Sequence, residues 1–116
     1  MSEQDAVIEV ESLKRVELVT IAGRFDSSNA GELSAKFKEL TDGGRYKVVL
    51  EMSGVSYMSS AALRAVVALL RECKAHIGGD VRIAAPSERV TEVLKLAGLD
   101  ALYQIYDDKT AAVGSF

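Results

Sequence analysis

A single cysteine, Cys73, and a single histidine, His76, narrow the chemistry open to this 116-residue chain. One cysteine cannot close an internal disulfide, which fits a reducing compartment. The two residues are too few for a zinc set, and the carboxylates of Glu32, Glu39 and Glu51 are spread out, so no metal site is expected. An excess of positive charge is also missing. Fourteen Lys and Arg stand against 17 Asp and Glu, a net charge of −3 that gives no electrostatic reason to bind nucleic acid. No apolar run approaches the length needed to span a bilayer, and the acidic start Met1-Ser2-Glu3-Gln4-Asp5 is unlike a signal peptide. A cytoplasmic location without membrane insertion is therefore expected. The glycine pairs lack the spacing and the Lys of a phosphate-binding loop, and no cofactor is expected.

What is present is a chain with 48% hydrophobic residues, enough to bury the core of one compact domain over residues 1–116, with residues 1–5 as a flexible start. Val7, Ile8 and Val10 lead through the polar Glu11–Arg15 into an alternating run, Val16 to Ile21, which reads as an antiparallel hairpin. Helix one begins in Ser27-Ser28-Asn29, with Glu32 completing a box-like cap with Asn29. Ala30, Leu33, Phe37 and Leu40 form its inner face, and Asp42-Gly43-Gly44 stops it. Lys47-Val48-Val49-Leu50 suits a buried strand. A central helix runs from about Ser60 to Ala75, with Arg64 and Arg71 on its polar side, and Val81–Ala84 is the next strand. Ser87 caps a third helix whose Val90, Val93, Leu94 and Ala97 face inward, with Gly98 as its stop. Leu102, Gln104 and Ile105 suggest a last short strand, and the tail from Asp107 a terminal helix. The order implies an α/β domain with a mixed, mostly parallel sheet packed by three to four helices.

The period changes across Ser59 and Ser60, so both lie at a strand-to-helix junction. A hydroxyl there is explained by capping alone. The words around it suggest more. Val48-Val49-Leu50-Glu51-Met52, the link Val55-Ser56-Tyr57-Met58 and then Ser59-Ser60-Ala61-Ala62-Leu63 resemble the signature of the anti-sigma factor antagonist family, the small bacterial STAS domains. Gly23, Phe25 and Asp26 match that family's Gly-x-hydrophobic-Asp segment, and Leu96-Ala97-Gly98-Leu99 looks like its helix-ending segment. In the family an Asp precedes the serine that a partner kinase phosphorylates. The resemblance puts Ser60 at the phosphorylated position, with Ser59 as the alternative. Ser59 then stands where the family has Asp, Ala61 where it has a second hydroxyl residue, and Ala62 where it has Gly.

The resemblance implies a single STAS-like domain in which Asp26, Ser27, Ser28, Met58, Ser59, Ser60, Ala61 and Arg64 form a partner face. For Asp26 the residues themselves allow a plainer reading, a turn starter. The implied function is that of an anti-sigma factor antagonist. Unphosphorylated, it binds an anti-sigma factor that is also a serine kinase with an ATP-binding fold, and so releases a sigma factor. Phosphorylation ends the binding and a serine phosphatase restores it. Two alternatives stand beside this: a STAS docking subunit of another assembly, such as a lipid-transport ABC complex or a stress-signalling particle, and a domain binding a small anionic ligand between the Asp26 loop and Ser60. An enzyme is not expected. No nucleophile-elbow glycines surround Ser60, His76 is explained by its favourable place at a helix end, and Cys73 reads as a small core residue.

Overall fold

Two long strands, β2 (Glu17–Phe25) and β3 (Lys47–Met58), run parallel through the middle of the sheet, and the other elements are placed against them. The fold is that of a computed structural model, which describes residues 6–116; the expected flexible start, residues 1–5, lies outside the described residues. Strand β1 (Val7–Ser12) pairs antiparallel with β2. Beyond β3 come β4 (Asp80–Ala84) and β5 (Gln104–Tyr106), both parallel, so the five strands lie in chain order. Helices α1 (Ala30–Asp42), α2 (Ser60–Lys74) and α3 (Glu88–Leu96) form the crossovers, and the short α4 (Lys109–Gly114) closes the chain. The expected α/β domain, hairpin first and parallel strands after, is the one observed. Among the described residues no helix is long and apolar enough to cross a membrane.

The sheet is covered on both faces, which explains why Lys47–Leu50 reads as an unbroken apolar run. Val48, Leu50 and Met52 point into the main core with Leu33 and Phe37 of α1, Val66 and Leu69 of α2, and Val90 and Leu94 of α3. Val49 points the other way, to a smaller core with Val16, Leu18 and Ala84 beneath Ala112 of α4. The run from Val16 to Ile21 alternates as expected, Val19 and Ile21 to one core and Val16 and Leu18 to the other, with both cores apolar. Its one buried charge, Glu17, is held by Arg45 at 2.6 Å and by the Ser12 hydroxyl at 2.7 Å. Burial of Ala30, Leu33, Phe37 and Leu40 matches the face assigned to α1. In α3, Val90 and Leu94 are buried and Val93 half-buried, whereas Ala97 is exposed because the helix has already ended at Leu96. Leu102 likewise lies outside β5 and is exposed.

One expectation about the centre is corrected. Val55–Met58 is not a link but the second half of β3, paired to β2 through Gly23↔Val55, Arg24↔Tyr57 and Phe25↔Met58. The register shifts between Thr20 and Ala22 and again between Gly23 and Arg24, so β3 bulges against its partner. Gly54 follows the first shift, paired with Ala22, and an added Cβ there would come within 2.9 Å of the Ala22 Cβ. Past Glu51 no strand among the described residues pairs with the other flank of β3. There Ser87, the N-cap of α3, donates its N–H to the Met52 carbonyl and its hydroxyl to the Val55 carbonyl.

The turn from α2 into β4 is tight enough to exclude a side chain at Gly79, where a methyl would collide with the backbone carbonyl of Cys73. Gly79→Ala should lower stability by about 2 kcal/mol or more, read as a reduced urea midpoint at unchanged slope.

Candidate functional site

Because β2 and β3 end level, the loops that follow them meet. The Ser59 N–H donates to the Phe25 carbonyl at 2.8 Å, tying the start of α2 to the end of β2. Ser59 is the N-cap of α2: its backbone is extended, and its hydroxyl accepts from the Ala62 N–H at 3.2 Å. Ser60, the first residue of the helix, is exposed, and among the described residues its hydroxyl has no hydrogen-bond partner. The two adjacent serines thus differ in kind. One oxygen completes the helix and the other is left to solvent.

The segment after β2 forms its own turn. The Asp26 carboxylate accepts from the Ser28 N–H at 2.9 Å and from the Ser28 hydroxyl, and the Asp26 carbonyl accepts from the N–H groups of Asn29 and Ala30. Asp26 is therefore a turn starter, as its residue type suggests. The box-like cap expected between Asn29 and Glu32 is not made. Asn29 occupies the N-cap position, but its side chain accepts from the Asp26 N–H and donates to the Arg24 carbonyl, so it serves the turn and not the helix.

Asp26, Ser27, Ser28, Ser59 and Ser60 are thus gathered at one end of the sheet, with Arg64 exposed one helical turn beyond Ser60. Ala61 is half-buried. Met58, expected on the partner face, is 4% exposed and packs in the main core, so it supports the junction from below. Ala62, at the family's Gly position, buries its methyl in the same core. Two neighbours were missed. Arg24 lies 3.6 Å from the Asp26 carboxylate and covers the ring of Tyr57 at 4.1 Å, forming a platform beside the turn. Only the bulged register brings Arg24 opposite Tyr57, and no short-range pattern announces it.

The Asp26 carboxyl is held below its ordinary value, chiefly by the Ser28 hydroxyl, then by the Ser28 N–H, with Arg24 adding and desolvation opposing. The other reactive side chains lie elsewhere. Cys73 is fully buried, and desolvation pushes its thiol up to about 12, so it stays protonated. His76 follows the opposite end of α2, about 24 Å from Ser60 at helical rise. The expected interaction of His76 with helix-end carbonyls is replaced by stacking on Tyr46, centroids 3.5 Å apart, with Glu72 at 3.7 Å.

Comparison with known proteins adds to this geometry. The STAS domain family model matches residues 7–112. BtrV of Bordetella bronchiseptica, named as an anti-sigma factor antagonist, is 26% identical over 99 residues, covering 85% of this chain and 84% of its own. The crystal structure of an anti-sigma factor antagonist from Thermotoga maritima superposes with a TM-score of 0.85 at 26% identity, covering 93% of this chain and 92% of that one. SpoIIAA, an anti-sigma factor antagonist solved in unphosphorylated form, shares the fold at a TM-score of 0.79 and 20% identity, covering 92% and 93% of the two chains.

Two measurements check the site. Ser59→Ala should cost about 1 kcal/mol through loss of the cap, whereas Ser60→Ala should stay within about 0.5 kcal/mol of the parent in the same denaturation series. A carboxyl ¹³C titration should place Asp26 below the usual carboxylate range, and Ser28→Ala should move it back up. Since the folded value is the lower one, the stability Asp26 contributes is present above about pH 4 and is lost as pH falls through that lowered value.

Proposed function

The chain belongs to the STAS domain family, and from that premise we propose that it is an anti-sigma factor antagonist switched by phosphorylation of Ser60. The reading rests on one observation: at the junction of β3 and α2 the exposed Ser60 hydroxyl is unengaged among the described residues, while its neighbour Ser59 is committed to the cap. Unphosphorylated, the surface around Asp26, Ser28, Ser60 and Arg64 docks an anti-sigma factor that carries a serine kinase activity and its own ATP. That docking frees a sigma factor. Transfer of phosphate to Ser60 ends it, and a serine phosphatase reverses the change.

The physical basis is charge placed at an interface. A phosphate adds about −1.5 to −2 charges at pH 7. At a helix N-terminus the dipole favours an anion by about 0.3 to 1 kcal/mol, so the domain stays folded. A docked partner meets a different balance. Asp26 already places a carboxylate at this end, and its cation, Arg24, is engaged with it. Enclosing a dianion there without a matching cation costs several kcal/mol. At about 1.4 kcal/mol per decade, two to three decades of affinity are lost.

With a purified anti-sigma kinase as partner, Ser60→Ala should bind like the unphosphorylated parent, and Ser60→Asp should fold normally yet bind at least about 100-fold more weakly. Peptide mapping after incubation with kinase and ATP should place the phosphate on Ser60. Undiminished binding by Ser60→Asp, or phosphate on Ser59 alone, would overturn the reading.

A further inference from the structure

The net charge of −3 conceals a basic end. Where β3 begins, the β1–β2 turn, the α1–β3 turn and the residues after α2 enclose an open cleft of about 500 Å³. Its walls carry four cations, Lys14, Arg15, Arg45 and Lys47, against one carboxylate, Glu17, a local formal charge of +3. Glu17 is already engaged by Arg45 at 2.6 Å. Lys14, Arg15 and Lys47 have no acidic partner among the described residues. The same three side chains line an adjoining cavity of about 250 Å³, so they stand on a wall shared by two spaces.

Like charges around one space repel, and an anion entering it turns that repulsion into attraction. The larger volume lies within the roughly 300 to 1,000 Å³ usual for small-molecule sites. We propose that this cleft binds a small, multiply charged anion of the pyrophosphate or polyphosphate class. The Arg15 guanidinium offers paired donors to phosphate oxygens, and the two lysines act as point charges on either side. A compact ligand fits better than a flat charged surface, because Lys47 is half-buried at the start of its strand while Lys14 and Arg15 are exposed on the turn. The cleft lies at the opposite end of β3 from Ser59 and Ser60, so it is independent of the proposed switch.

The test is a ¹⁵N–¹H titration of the full chain with sodium pyrophosphate at constant ionic strength. Saturable shifts confined to residues 12–17, 44–47 and 77 are expected. The Lys14→Gln/Lys47→Gln double variant, checked for unchanged circular dichroism, should bind about tenfold more weakly or worse. Lys95→Gln, an exposed charge on α3, and Ser60→Asp should leave the titration unaltered, which separates this site from the switch. Scattered or unsaturable shifts, or full affinity in both the double variant and Arg15→Gln, would overturn the proposal. So would binding seen only on phosphatidylglycerol vesicles and never with soluble pyrophosphate.

Discussion

The hydrogen bond from the Ser59 N–H to the Phe25 carbonyl is the constraint on which the candidate site depends. It exists because β2 and β3 finish at the same level, and they do so because β3 bulges against β2, taking up extra residues between Glu51 and Gly54 and again between Val55 and Tyr57. Without that bulge the two loops would be out of step. The Asp26 turn would then face the side of α2 and not its first residue. Burial of Met58 and Ala62 beneath the junction fixes it from the core side, so the position of Ser60 follows from strand pairing and packing and not from loop flexibility.

Division of labour between the two serines follows from helix geometry. The N-cap oxygen is drawn inward to the free N–H of Ala62, whereas the next residue already has helical backbone and projects its side chain outward. The replacement of the family's Asp by Ser59 keeps a capping oxygen but removes a charge. The first turn of α2 consequently has no acidic side chain of its own, and the carboxylate of this region comes from Asp26 on another loop.

Much of the fold could be read in advance because its elements are locally consistent. The apolar spacing in α1, the serine caps of α2 and α3, and the glycine stops each contain their whole signal within a few residues. What escaped depends on distant partners. Ser53, Gly54 and Ser56 break the apolar pattern of β3; only Gly54 is paired with β2, opposite Ala22, and the two serines fall at the register shifts that the pairing of the flanking residues carries through. Asn29 had a helix to cap but found the Asp26 N–H and the Arg24 carbonyl closer to hand. His76 carries no trace in sequence of the Tyr46 ring thirty residues earlier that it stacks on. The basic cleft escaped for the same reason: Lys14 and Arg15 lie on one turn, Arg45 on another and Lys47 at the start of β3, and a whole-chain charge averages them away.

Among the described residues the outer half of β3 carries one strand neighbour where its inner half has two. A flank without a strand neighbour is in general a template on which a foreign chain can add a strand and start ordered aggregation. Ser87 occupies two of the carbonyls on that flank, Met52 with its amide and Val55 with its hydroxyl. The N-cap of α3 thereby closes part of a sheet margin as well as starting a helix, and one serine takes up two acceptors that an added strand would need.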